Sequence, residues 1–205
     1  MVALVAAAAG CATPTYPTYR SSAVIGVNAI SSHGITVTVD PFFDKDRCKR
    51  YFGFSQEDGR LVIIHISARN TTRDRSFHLL KKNIRLLASG SAKKRAPEEG
   101  KIARSTAVGE GVAMAGTVAS IPFPLIGLPV QFGGQQVIAD QTAVRNNLVN
   151  QELQEGTVSP GQTLEGFVYY LLPEKQPRMK SGTIVVTLLE AGSGGKIDFP
   201  FEINR

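Results

Sequence analysis

A chain of 205 residues, 42% hydrophobic and 20% charged, is long and apolar enough to bury one sizeable core, which excludes an intrinsically disordered protein. Two cysteines and three histidines, with no CxxC or HExxH spacing, exclude a disulfide-stapled scaffold and a recognisable zinc site; the sequence calls for no metal or cofactor. The net charge of +6 is uneven, since residues 44–104 hold 16 Lys/Arg against 7 Asp/Glu, yet Lys93-Lys94-Arg95 is the one basic triplet. Cations scattered in this way read as a solvated surface or a face toward anionic headgroups, not as a nucleic-acid groove.

At the N-terminus the apolar run Val2–Ala9 leads into Gly10-Cys11 and then Ala12-Thr13-Pro14-Thr15-Tyr16-Pro17-Thr18-Tyr19. The block Ala8-Ala9-Gly10-Cys11 resembles the lipobox of bacterial lipoproteins, in which small residues precede the cysteine that becomes the lipidated N-terminus. Ala8 stands where that pattern prefers Leu, and no Lys or Arg precedes the apolar run. The resemblance implies a signal peptide over 1–10, lipidation of Cys11, and an extended tether over 11–23. It further implies a membrane-anchored protein facing the periplasm, sorted to the outer membrane because Ala12 rather than Asp follows the cysteine. An Ala-rich N-terminus that happens to contain Cys is the alternative. With Cys11 acylated, Cys48 has no intrachain partner; among Phe42, Phe43, Tyr51 and Phe52 it reads as a buried, inert thiol.

Residues 24–30 and the alternating Ile35-Thr36-Val37-Thr38-Val39 predict two strands about a turn at Ser31-Ser32-His33-Gly34, ended by Asp40-Pro41. A polar, aromatic loop is expected through Asp44-Lys45-Asp46-Arg47 to Phe54. The strongest strand follows at 61–69, with Val62, Ile64, Ile66 and Ala68 on one face and Ile63, His65 and Ser67 on the other. After the turn Asn70–Asp74, another strand is expected over 83–88.

The pattern then changes. Ala103, Ala107, Gly111, Ala115 and Ala119 recur at every fourth position, and no charge occurs from Gly111 to Ala139. This spacing places small residues on one helix face, with a second helix expected from about Gln135 to Gln154. Between them, Ile121-Pro122-Phe123-Pro124-Leu125-Ile126-Gly127-Leu128-Pro129 cannot be helical throughout. The expected shape is a helical hairpin over 102–154 with an apolar tip. Gly111, Ala115, Phe123, Leu125, Ile126 and Leu128 are its candidate interaction residues, because large exposed apolar patches usually bind something. Packing on the domain itself, self-association or partner binding, and insertion of the tip into a membrane all remain open.

Strands resume after Gly156: a turn at Ser159-Pro160-Gly161, a strand over 164–172 with Phe167, Tyr169 and Leu171 on one face, and a final hairpin of 183–190 and 197–203. Short strands in two blocks around a helical insertion predict a mainly β (β+α) fold, an antiparallel sandwich. Tyr51-Phe52-Gly53, Asn70-Thr71-Thr72, and Ser159-Pro160-Gly161 followed by Gly166-Phe167-Val168-Tyr169-Tyr170 resemble an uncharacterised family of Gram-negative lipoproteins with an immunoglobulin-like sandwich. That resemblance covers residues 24–203 and implies a compartment and a fold, but no activity.

No constellation supports catalysis. Gly53-Phe54-Ser55-Gln56-Glu57 falls one glycine short of GxSxG, and Met114 replaces the third glycine of a GxGxxG begun at Gly109. His33 lies in a turn, His78 in a basic stretch and His65 mid-strand, each without a partner of catalytic spacing. The expectation is a non-enzymatic, lipid-anchored binding or assembly protein. It would have an envelope protein or a second copy as partner and no nucleic acid. A periplasmic hydrolase-like enzyme using one of the histidines is the alternative.

Overall fold

The computed structural model describes residues 16–20, 28–54, 61–89, 112–114, 134–172, 179 and 181–205. Strands β1 (Asn28–Ser32) and β2 (Ile35–Pro41) are joined by His33-Gly34, whose φ angles of 53° and 76° suit the primed turns that match strand twist. Strand β3 (Leu61–Asn70) pairs antiparallel with β2 and runs three residues further, past the last pair of Pro41 with Ile64. Two sheets result. Strand β4 (Phe77–Ser89) belongs to the second, flanked by the short β5 (Val112–Met114) and β6 (Gly156–Val158). Strand β7 (Thr163–Leu171) returns to pair with β3, and β8 (Ser181–Glu190) and β9 (Lys196–Asn204) close the second sheet as a hairpin. The orders are β1-β2-β3-β7 and β5-β4-β8-β9, with β6 also on β4.

The predicted alternation places the core. Val37, Val39, Val62, Ile64, Ile66, Val168 and Tyr170 from the first sheet share one buried cluster with Phe77, Leu79, Ile84, Leu86, Val186, Leu188, Phe199 and Phe201 from the second. Burying each such side chain contributes about 1.5–3 kcal/mol, so this shared layer dominates stability. The hydroxyl of Tyr170, fully buried, donates to the Ile84 carbonyl of the opposite sheet at 3.3 Å. Strand β4 starts six residues earlier than the predicted 83, because Lys81-Lys82-Asn83 hides a register shift between Leu79 and Ile84. There the Lys81 N–H donates to Glu155 at 2.7 Å and its ammonium to Glu152 at 2.6 Å, which holds the irregularity in place.

Two expectations are corrected. The polar loop expected after Pro41 is instead helix α1 (Lys45–Phe52). The Asp44 carboxylate caps it by accepting the Arg47 N–H at 2.7 Å, and Gly53 ends it at φ 82°. Cys48 and Phe52, four residues apart, form its buried side. Asp44, Lys45 and Asp46 are thereby a cap and a first helical turn.

Of the helical hairpin expected over 102–154, the described residues include its second helix, α2 (Gly134–Gln151), and three residues of its first half. Val112–Met114, read as part of the first helix, form β5 and pair with Arg85–Leu87. A spacing of four keeps one face in a helix and equally in a strand of period two, so the small-residue repeat could not separate them. The interaction candidates Gly111, Ala115, Phe123, Leu125, Ile126 and Leu128 lie outside the described residues, as does Cys11.

After α2, the chain runs beside β7. The Leu153 N–H donates to the Phe167 carbonyl at 2.8 Å, and Glu152 bridges Phe167 in parallel. This close approach depends on Gly166: a Cβ there would stand 2.5 Å from the Leu153 Cα and 2.7 Å from its nitrogen.

Candidate functional site

Strand β3 is buried on both faces, and its outer face carries the second apolar cluster. Leu61, Ile63, Phe167 and Tyr169 form its floor, α1 adds Cys48 and Phe52, and α2 adds Val144 and Leu148. The helices are stitched together by polar contacts. Asn147 and Gln151 both donate to the Tyr51 carbonyl, at 2.6 and 3.2 Å, and Tyr169 donates to the Leu148 carbonyl at 3.0 Å.

Into this cluster comes a residue from the expected tether. Tyr19 is 4% exposed, and its ring stands edge-on to Phe42, Tyr51 and His65 at 4.9, 5.3 and 4.7 Å. Such arrangements are the favoured geometry for aromatic pairs. Its hydroxyl donates to Asp40 and its backbone N–H to Gln151 at 3.4 Å. Three residues earlier, Tyr16 lies against Gly53, where a Cβ would strike its phenol. The segment 11–23, expected as a free tether, is therefore built into the fold at Tyr16–Tyr19.

Asp40 is the polar centre. It is 6% exposed and takes a two-pronged bond from Arg47, Nη2 to Oδ2 at 2.6 Å and Nη1 to Oδ1 at 3.2 Å. The same guanidinium lies 3.9 Å from the Phe42 ring centroid, adding cation–π attraction. Burial and the neighbouring Asp40 carboxylate push the Tyr19 hydroxyl well above its ordinary range, so the phenol stays protonated as the donor. Burial also pushes the Cys48 thiol up to about 12, and its Sγ contacts the Phe42 carbonyl at 3.5 Å. This is the inert thiol that the aromatic surroundings predicted.

His65 pairs across the sheet with Asp40 and packs between Tyr19 and Phe167. It is 2% exposed, and its Nδ1 has no hydrogen-bond partner among the described residues. Burial lowers its pKa from 6.5 to about 4; Asp40 opposes and Arg47 reinforces that shift. Above pH 6.5 the ring is neutral in both the folded and unfolded chain. Between 6.5 and 4 the unfolded chain takes up the proton first, so stability falls with falling pH by about 3 kcal/mol in total, then levels off. His65→Leu is expected to remove that share of the slope in urea unfolding at stepped pH. An identical slope in the variant would show that His65 does not carry it.

The other histidines lie on the surface. His33, exposed, bonds the Ser32 hydroxyl through Nδ1 at 2.7 Å, and His78, half-buried, bonds the Thr157 hydroxyl through Nδ1 at 3.0 Å. Among the described residues, no group of three or more His, Cys, Asp or Glu side chains could hold a metal ion. No helix among them is long and apolar enough to cross a membrane.

The turn motifs Asn70-Thr71-Thr72 and Ser159-Pro160-Gly161 do come together, as a structural corner. Asn70 is fully buried; its amide donates to the carbonyls of Arg75 at 2.6 Å and Val158 at 3.0 Å. Its side-chain oxygen accepts from the Thr72 N–H and hydroxyl at 2.9 and 2.7 Å. Its backbone bonds Gly161 and Gln162.

Sequence reasoning missed Tyr19, Asp40 and Arg47 as one unit. Asp40-Pro41 read as a strand end, and Arg47 as loop. The signal was Tyr16-Pro17-Thr18-Tyr19, two aromatics too many for a solvated tether.

The fold and site thus define a mainly β protein whose N-terminal segment is docked on a helix-covered sheet face. No protein-family model and no curated protein matches the chain. Among solved structures it is similar to the candidate lipoprotein ycdA from Bacillus subtilis, with 12% identity and a TM-score of 0.41, over 86% of this chain and 38% of that one. The chain therefore spans well under half the length of that protein. It is also similar to a DUF4426 family protein from Pseudomonas aeruginosa, with 9% identity and a TM-score of 0.34, over 88% of this chain and 94% of that one. At such distances, no property of either protein passes to this chain.

Proposed function

We propose that the chain is a lipid-anchored, non-catalytic binding or assembly protein of the cell envelope, an immunoglobulin-like sandwich facing the periplasm from the outer membrane. The observation that carries this reading is the seat of Tyr16 and Tyr19, five and eight residues after Cys11. Tyr16 and Tyr19 belong to the domain, as a short connection between anchor and fold requires. The core shared between the two sheets supports the sandwich. The non-catalytic reading is supported by the histidines: His33 exposed and His78 half-buried, each bonded to a hydroxyl, and His65 enclosed by aromatic rings. The charge-free stretch around Phe123, Leu125, Ile126 and Leu128, with Gly111 and Ala115, is the surface proposed for an envelope partner or a second copy.

Cys11→Ser in the full chain, expressed in a Gram-negative host, is expected to lose palmitate label and move from the membrane to the soluble fraction. Identical fractionation and labelling of the two proteins would overturn the anchor. In the same cells, Phe123→Ser with Leu125→Ser is expected to lose co-purifying partners or oligomers at an unchanged melting temperature. A much lower melting temperature with unchanged association would return those side chains to the core.

A further inference from the structure

The seat of Tyr16 and Tyr19 bears on which face of the domain a lipid anchor at Cys11 would bring to a membrane. Tyr16 sets its phenol against Gly53, the residue that ends α1, so the described residue nearest Cys11 in sequence sits at the C-terminal end of that helix. A chain spans at most about 3.5 Å per residue, so the five residues from Cys11 to Tyr16 reach no further than about 18 Å. Were Tyr16 and Tyr19 unseated, the next described residue would be Asn28, seventeen residues from Cys11 and up to about 60 Å away. The seat therefore decides whether the domain is held close to its anchor.

The end of α1 against which Tyr16 rests is cationic. Lys49 and Arg50 occupy its last turn and both are exposed, as is Arg20 beside the seated Tyr19. The acids of α1 lie at its other end, with Asp44 used as the cap and Asp46 in the first turn. We infer that Tyr16 and Tyr19 latch the domain onto the bilayer that holds its lipid, with Lys49, Arg50 and Arg20 against anionic headgroups. This rests on the lipid anchor proposed above. Cations attract an anionic surface only within about a Debye length, roughly 8–10 Å at physiological salt, which is why the short reach matters.

The test uses the lipidated full chain on vesicles of phosphatidylcholine, alone or in a three-to-one mixture with phosphatidylglycerol. The rate at which a membrane-impermeant reagent acylates the Lys49 amine is read by mass spectrometry, with Lys196 on β9 as internal reference. On anionic vesicles Lys49 is expected to react about fivefold more slowly than on neutral ones, the gain one cation makes near such a surface. Arg50→Glu, an exposed change that spares the fold, is expected to shrink the difference. Tyr19→Ala is expected to abolish it while the protein still floats with the vesicles. Should Tyr19→Ala not fold, Arg50→Glu decides alone. Equal Lys49 rates on both vesicle types, with the protein floating on both, would overturn the orientation and leave the anchor standing. Failure to float with either would overturn the anchor, and the latch with it.

Discussion

Asn70→Leu is expected to lower the unfolding free energy by about 3 kcal/mol, measured by urea denaturation followed by circular dichroism. The substitution keeps the volume but removes a hydrogen-bond partner from four groups: the Val158 carbonyl, the Thr72 N–H, and the Arg75 carbonyl and Thr72 hydroxyl, which keep their bond to each other at 2.9 Å. A hydrogen bond contributes only about 1 kcal/mol net, but a buried group left without one costs its full desolvation. The Val158 bond is the long-range one, tying β3 to β6 across 88 residues of sequence. A loss below about 1 kcal/mol would mean that water or the backbone replaces these partners, and that the corner does not depend on its asparagine.

Gly166→Val is expected to cost a similar amount, about 3 kcal/mol, through crowding instead of lost bonding. The obstructing atoms are the Leu153 backbone, which cannot rotate away as a side-chain tip can. Either β7 shifts in its pairing with β3, or the chain after α2 lifts off and loses the bond from Leu153 to Phe167. Amide exchange separates the two: lifting exposes the Leu153 N–H and spares β3, whereas a shifted strand exposes both. A variant as stable as the parent, with Leu153 still protected, would refute the close approach.

Both residues stood in motifs that the sequence offered as turns and strand starts, and that is how they act. Their partners were not legible. Asn70 looks like any turn former after a long strand, and only the return of residues 158–162 to that strand makes it the hub of a corner. Gly166 looks like a weak point in a strand, and only the arrival of Leu153 explains it. Asp40 and His65 are opposite each other in the β2–β3 register, a relation that needs the pairing to be known. Helix α1 was hidden because the loop vocabulary of Asp44, Lys45 and Gly53 is also the vocabulary of caps.

What the sequence determined by itself is the longer strands and the face each turns to the shared core, because a period of two puts Val62, Ile64, Ile66 and Ala68 on one side of β3. It determined the inertness of Cys48 as well, since burial of a thiol among aromatics raises its pKa by more than the nearby Arg47 lowers it. Tertiary structure decided the rest. An even spacing of small residues fits helix and strand alike, so only pairing with β4 made Val112–Met114 a strand. Two tyrosines beside prolines are soluble enough to be a tether, and only a carboxylate on β2, a guanidinium on α1 and an aromatic floor on β7 made Tyr19 a buried residue. Local periodicity is a property of neighbours along the chain; a binding seat assembled from four elements is not.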